Sequence, residues 1–559
     1  MRFTKQIPLI LLSVGLICGR TLFSAELTYP FTESSLSGLV SSEKGEALEG
    51  VLVRAKQEGV NRARTVATDA QGKYRFPKLE AGKYAVEIAR ADGMEEPSRE
   101  GVEIRSGQES HVDFRIGPAK DMEKHLSPVD WLRNLPGTPE QRSLLDKECM
   151  HCHTATPMKF RFDKDGWLKI VRTMRWEGSN RGESNSAKKN RDLPGFEEKN
   201  QVIAEYLAKV RGPEPLKWDA ATTKVLPRPT GRSTRVMFTE YVIPYDNAEL
   251  HDIAVAPDGK IWWTDWRWPY IGVLNPETGE MKYWESPPLP GRPKTLAGSE
   301  EIGFDQDGSV WTNYFWDPGL IKFDPKTEKF TTWMNTDPGI WRLGQNGMDN
   351  KRGRVWFSAA GLPGVSDDVG YYVPATGEHK MFRDYRVYGI VIDSKGNFYG
   401  MEGLRGRSQI SRIDAETGER TNYLTPTQPA AFPRRGSYDS QDRIWFAEYN
   451  ANKIGMLDPK AGKITEYDMP HGALSYPYGC GVDRVNDIVY VEQYRADRYA
   501  VLDPKTREMW EYLMPERGTM SRSPQNAPNS SSPGHGVMWI GTLPKYGNAK
   551  LIKMETWYR

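Results

Sequence analysis

The chain has 559 residues, 38% of them hydrophobic and 27% charged, with 76 Lys+Arg against 74 Asp+Glu. At ~100–200 residues per domain this length holds three to five domains; the composition excludes a multi-span membrane protein, and the near-neutral balance leaves no electrostatic footprint for nucleic acid. Gly (52) and Pro (39) are scattered, as in a turn-rich β protein, and 14 of the 18 Trp lie beyond residue 260, which predicts many strands with bulky anchors there.

Residues 1–25 read as a secretory signal. Arg2 and Lys5 precede an apolar run from Ile7 to Ile17, too short to span ~30 Å of hydrocarbon as a helix but suited to a signal core. Cleavage after Ala25 removes three basic residues and leaves a net charge of −1 with no membrane span. Cys18 raises a lipoprotein alternative, which Gly15-Leu16-Ile17 before it fits poorly. The expected location is periplasmic or secreted.

Residues 35–117 predict a small β-sandwich. Alternation in Val51–Ala55, Lys73–Phe76 and Tyr84–Ile88 suits half-buried strands, and Glu43-Lys-Gly45, Asp69-Ala-Gln-Gly72 and Glu80-Ala-Gly82 mark turns. The phrases Gly50-Val-Leu-Val and Thr68–Val86 resemble the carboxypeptidase regulatory-like domain. That resemblance implies a spacer or adhesion module, with carbohydrate or cell-surface contact as its sharper form.

Residues 120–213 carry Cys149-Met-His-Cys152-His153, the C-x-x-C-H attachment signature of c-type haem. Two thiols at this spacing reach the two vinyl groups, and the adjacent imidazole becomes an axial ligand to the iron. A zinc site competes but needs further Cys or His at matching spacing, and only His151 is near. Thr138–Leu145 predicts a capped helix entering the motif, and Gly166–Met174 a second helix that supplies Met174 as candidate sixth ligand. Met158 is too close to His153 to cross readily to the opposite haem face. Phe196–Val210 predicts an amphipathic helix with Val202, Ile203, Tyr206, Leu207 and Val210 on its apolar face, and resembles the C-terminal helix of cytochrome c. Ser179–Asn190 predicts a mobile loop, and residues 214–235 a linker.

Residues 236–559 repeat. Short strands centred on Trp262, Trp311, Trp356, Tyr399, Trp445, Val489 and Trp539 recur at steps of 43 to 50 residues, a period that means propeller blades. Seven anchors predict seven four-stranded blades. The last blade lacks an outer strand, and Phe238–Tyr241 has the sequence to supply it and close the ring. The fold class is therefore mainly β and multidomain: a sandwich, a small α-helical cytochrome c domain and a seven-bladed propeller.

The phrases Pro257-Asp-Gly-Lys-Ile-Trp-Trp-Thr264 and Ile444–Pro459 resemble the streptogramin lyase (virginiamycin B lyase) propellers. That family's active-site phrase E-P-H-G-I is matched once, at Glu249-Leu-His251-Asp-Ile253, and the second histidine of the family has no counterpart. The equivalent inner-strand positions hold Glu300, Tyr388, Arg434 and Tyr478, which with Glu249 and His251 form the expected catalytic ring. Asp265, Glu402, Glu448 and Glu492 share one repeat position after the anchor strand, and converging carboxylates could hold Mg²⁺ or Ca²⁺; salt bridges to residues such as Arg434 and Arg435 are the alternative. Cys480 reads as a small buried hydrophobe, and His379, His471 and His535 as surface residues.

Two functions compete. In the first, an exported haem c protein passes electrons to or from a redox partner or a small molecule at the propeller. In the second, a carbon–oxygen lyase or ligand-binding propeller carries an accessory haem domain.

Overall fold

In a computed structural model, the residues described are 35–77, 79–150, 158, 160–180, 195–291, 298–315, 317–337, 340–361, 368–403, 407–429, 431–543 and 547–558. The signal segment, Cys18, Cys152, His153 and most of the predicted Ser179–Asn190 loop lie outside them.

Alternating hydrophobicity produces the sandwich. One sheet joins β1 (Leu36–Ser42) to β4 (Lys73–Phe76), β7 (Ser110–His111) and β8 (Phe114–Ile116). The other runs through β3 (Ala63–Ala67), β2 (Leu52–Gln57), β5 (Gly82–Arg90) and β6 (Ser98–Ile104). Along β5, Tyr84, Val86 and Ile88 are buried on one face, and they meet Leu36, Val40, Tyr74, Phe76 and Phe114 in one core. Burying a side chain of this size stabilises by about 1.5–3 kcal/mol.

Four α-helices occur among the described residues, Pro128–Asn134, Pro139–Glu148, Lys164–Asn180 and Phe196–Val210. The second starts as the sequence predicts: Thr138 and Gln141 form a reciprocal capping box and Pro139 occupies the first turn. The last buries Asn200, Ile203, Ala204, Tyr206, Leu207 and Val210. Val202 is not on that face; it is 49% exposed, because the buried stripe centres on Ile203 and Leu207 and position 202 lies about 100° away. Trp131, Leu145, Met150, Met158, Trp167 and Val171 complete the helical core.

The remaining strands form six four-stranded sheets and a seventh blade, Gln525–Asn526, His535–Gly541, Lys550–Trp557 and Val236–Val242, that is part of an eight-stranded sheet. Their innermost strands are Leu250–Val255, Ser299–Phe304, Ile340–Asp349, Val387–Ile392, Pro433–Tyr438, Pro477–Asp483 and Gln525–Asn526, each packed on the next and the last on the first. The seven anchors are all buried. A repeated turn explains part of the period. Asp305, Asp393 and Asp439 each accept backbone N–H groups two and four residues on with one carboxylate oxygen. The other oxygen accepts from the ring group of the coming anchor, 2.9 Å from Trp311 Nε1, 3.3 Å from Tyr399 Oη and 2.9 Å from Trp445 Nε1.

The ring closes through β9 (Val236–Val242), antiparallel to the final strand Lys550–Trp557 with Phe238 opposite Met554. The other edge of β9 pairs with β3 of the sandwich, Arg64 opposite Thr239. The sandwich is thus no spacer: its sheet continues the last blade and covers an edge that would otherwise template pairing with another chain. Across this junction Arg54 pairs with Glu240 at 2.7 Å, Glu516 at 2.7 Å and Glu87 at 2.8 Å. The 214–235 stretch is likewise tied down. Leu226 N donates to Asp130 Oδ1 at 3.0 Å, Arg228 Nε to the Glu49 carbonyl at 3.0 Å, and Arg498 Nη2 to the Pro227 carbonyl at 2.8 Å. No described helix is long and apolar enough to cross a membrane.

Candidate functional site at one mouth of the propeller channel

Six inner strands slip register near their starts, between Leu250 and Ile253, Ser299 and Ile302, Leu343 and Asn346, Val387 and Gly389, Pro433 and Gly436, and Pro477 and Cys480. A bulge breaks the strict alternation of side chains and re-aims one of them. Consecutive polar residues then reach the same cluster: His251 with Asp252, Glu300 with Glu301, Arg434 with Arg435. Two glycines permit the close approach of neighbouring inner strands. A Cβ on Gly389 would sit 2.2 Å from the Arg434 carbonyl oxygen, and one on Gly479 would sit 2.0 Å from that of Arg522.

His251 Nδ1 lies 2.6 Å from Asp252 Oδ2. Arg435 Nη1 holds the other oxygen of Asp252 at 2.6 Å and reaches Glu301 Oε1 at 3.1 Å. Burial opposes the charge on Asp252, but Arg435 and His251 hold its carboxyl down at about 2. An ionised carboxylate only accepts, so Nδ1 carries the hydrogen and Nε2 presents its lone pair. That Nε2 stands 4.0 Å from Glu300 Oε1. Burial lowers the imidazole pKa from its ordinary value, which keeps His251 neutral. Glu301 goes the other way: burial, and then repulsion from Asp252, push it up to about 8.

The phenols of Tyr388 and Tyr478 hydrogen-bond to each other, and Arg522 Nη1 donates to Tyr478 Oη at 2.5 Å. Burial raises the Tyr478 phenol, but Arg522, Arg434 and Arg435 outweigh it and leave it below its usual value, while burial drives Tyr388 upward. The Arg434 guanidinium is boxed by rings, 4.0 Å from the centroid of Tyr449, 4.5 Å from Tyr478, 4.8 Å from Tyr388 and 4.9 Å from Phe432. Trp266 and Phe315 flank His251 at 5.7 and 6.4 Å.

The structure therefore gathers five of the six residues expected in the ring. Glu249 is apart from them, its carboxylate paired with Arg267 at 2.8 Å. Asp252, Glu301, Arg435 and Arg522 complete the cluster and were not anticipated as members; doubled polar residues at strand starts, where alternation would put one in the core, were the available signal. The four repeat-position carboxylates do not converge. They lie at or next to the end of the second strand of the first, fourth, fifth and sixth blades, one strand away from the axis, and no group of three His, Cys, Asp or Glu able to share a metal ion occurs among the described residues. Asp265 takes Tyr245 Oη at 3.0 Å and backbone N–H groups of its own blade. Glu402 is paired with Arg407 and Arg420, Glu492 accepts from Ser521 N, and burial, then repulsion from Glu466, push Glu448 up to about 8. Cys480 is buried as expected. His471 is part-buried against Glu511 at 2.9 Å, so it is not a plain surface residue, and His535 stacks on Trp557 at 5.0 Å.

The helix Pro139–Glu148, which leads into Cys149, sits on this mouth. Asp146 forms an ion pair with Arg495, a turn residue of the sixth blade, and accepts from Tyr476 Oη at 2.7 Å. Arg495 Nη2 also donates to the Met150 carbonyl at 2.9 Å and to Tyr449 Oη at 3.3 Å. Tyr449 is the ring closest to Arg434, so contacts run without a break from the neighbour of Cys149 to the polar cluster. A cavity of about 950 Å³ lies elsewhere, lined by the far ends of inner strands (Val255, Phe304, Val482) and by Arg62 and Arg64 of the sandwich; none of the ring residues borders it.

Residues 35–117 match the carboxypeptidase regulatory-like domain family. No curated protein matches the sequence. Among solved structures, the chain is similar to virginiamycin B lyase from Staphylococcus aureus (17% identity, 57% of this chain and 99% of that one, TM-score 0.47) and to a streptogramin B lyase (20% identity, 58% and 99%, TM-score 0.47). The likeness is one of propeller fold.

Proposed function

We propose that this is an exported haem c protein, periplasmic or secreted, whose helical segment exchanges electrons with a small molecule or partner at the propeller mouth. The observation that carries the reading is the seating of the Cys149 segment on that mouth through Asp146 and Arg495. A lyase with an accessory haem would need the same basic residue but gives no reason for this contact.

The residues present fit the group. Cys149 follows directly on the helix Pro139–Glu148 as its C-cap and packs against the apolar cluster of Trp131, Leu145, Met150, Met158 and Trp167. Cys149, Cys152 and His153 would hold the haem, and Met174 is our candidate for the sixth ligand. Met174 continues the buried stripe of Trp167 and Val171 along its helix and is itself 48% exposed. When bound, haem c supplies one-electron redox chemistry whose potential follows its axial ligands.

At the mouth, His251 is the proton-accepting group. Nε2 is its basic atom, Asp252 fixes the tautomer, and Arg435 pins Asp252. Oxidation of an O–H or N–H substrate releases a proton with the electron, and Nε2 can take that proton without a charged imidazole having to exist beforehand. Mass spectrometry of protein made in cells competent for haem attachment tests the reading: one haem covalently added is expected, and an unmodified mass rejects it.

A further inference from the structure

Three guanidinium groups surround one phenol at the mouth. Arg434, Arg522 and Arg435 lie 4.5, 5.2 and 6.0 Å from the centroid of Tyr478. Among the described residues Arg435 alone of the three is balanced, by the ionised Asp252 at 2.6 Å. Arg434 and Arg522 make no ion pair with a carboxylate among the described residues. They are 3% and 6% exposed, and Arg434 Nε and Nη1 and Arg522 Nε are buried with no hydrogen-bond partner among the described residues.

Aromatic faces stabilise such cations but supply no acceptor for N–H groups that lie in the guanidinium plane. Buried donors without acceptors and a buried charge without a counter-charge are each costly. Both deficits are eased by one planar oxyanion, because a carboxylate supplies a negative charge and two acceptor oxygens that can take charge-assisted N–H bonds from the two guanidinium groups. The surrounding rings, Trp266, Phe315, Phe432 and Tyr388, favour a flat apolar body attached to it.

We propose that the channel mouth is a recognition site for an aromatic carboxylate, with Arg434 and Arg522 binding the carboxylate and the Tyr388, Trp266 and Phe315 rings contacting the body. This names the substrate class for the mouth and rests on the reading of that mouth as the substrate site. It does not depend on electron transfer, so the two can fail separately. His251 then faces the ligand from the first blade while the guanidinium groups hold it from the fifth and seventh.

The test is calorimetric titration of the full-length haem-loaded protein with benzoate, benzamide and inorganic phosphate. Benzoate is expected to bind, benzamide to bind at least tenfold more weakly, and Arg434→Met and Arg522→Met each to weaken benzoate about tenfold or more. Should either variant fail to fold, thermal melting of the unaltered protein decides: benzoate should raise the midpoint and benzamide should not. Equal binding of benzoate and benzamide, no binding of either, or binding of phosphate alone overturns the proposal. Loss of benzoate binding in a protein that still carries haem would sink this inference and leave the redox reading standing.

Discussion

Arg495 of the sixth blade pairs with Asp146 three residues before Cys149 and donates to the carbonyl of Met150 immediately after it. A buried arginine thus holds both ends of the segment that enters the C-x-x-C-H motif. Removing one partner of such a pair leaves an uncompensated charge, at a cost of about 3–5 kcal/mol. Arg495→Met should therefore lower the chemical-denaturation free energy by about that amount. The double variant with Asp146→Leu should recover part of it. Additive losses in the double variant would show that the pair does not couple helix and propeller.

The proposed assignment of Met174 as sixth ligand to a haem is checked by optical spectra. Met174→Ala should change both the oxidised and the reduced spectrum and lower the potential, because a thioether axial ligand raises it. Met158→Ala should perturb stability more than spectrum, since Met158 is buried in the helical core. Unchanged spectra in Met174→Ala reject the assignment.

How much of this was legible in the sequence depends on range. The Thr138 capping box, the Phe196–Val210 helix and the Trp anchors follow from local chemistry and periodicity, and the structure has all of them. Val202 was misplaced because its apolar character says nothing about which of two adjacent stripes a neighbouring helix will cover. The pairing of β3 with β9 joins residues about 175 positions apart, as in Ala63 opposite Glu240, and Arg54–Glu240 is visible only once that pairing exists. In the site, His251, Tyr388 and Arg434 could be read from their place in the repeat. Asp252, Glu301 and Arg435 were marked only by the doubling of polar residues at strand starts, because a bulge rather than an alternating strand aims them inward.

The shared sheet makes a separate prediction. A chain lacking residues 35–117 exposes the edge of β9 and strips Arg54 from the buried Glu240. It should aggregate or associate at micromolar concentration, as seen by light scattering, and melt lower. A monomer with an unaltered midpoint would show that the sandwich is dispensable to the blade.

Stability should depend on pH through Glu448. Its folded pKa of about 8 exceeds the ordinary glutamate value, because burial and then Glu466 disfavour the charge. The folded state therefore binds more protons than the unfolded state between about pH 4.5 and 8, and stability falls as pH rises across that window. Glu448→Gln should flatten this slope and stabilise the protein at pH 8 by roughly 1–3 kcal/mol relative to the parent, with a smaller effect at pH 5. Melting curves at the two pH values give the answer; equal effects at both would reject the assignment of the slope to this group.

The imidazole of His251 supplies the last prediction. Asp252 fixes hydrogen on Nδ1, and Arg435 keeps Asp252 ionised with its carboxyl near 2. Asp252→Asn removes the obligatory acceptor, so the Nε2-protonated tautomer becomes accessible and the basic lone pair leaves the position beside Glu300. Nitrogen chemical shifts of selectively labelled histidine should show Nδ1–H at neutral pH in the parent and a shift toward Nε2–H in Asp252→Asn. Turnover or proton uptake at the mouth should fall by roughly 10²–10⁴-fold, the range that a positioned base contributes. The haem spectrum should stay intact in Asp252→Asn and in His251→Ala, because neither residue touches the helical segment. A tautomer unchanged in Asp252→Asn, or full activity in His251→Ala, would mean that protons enter and leave this mouth by another group.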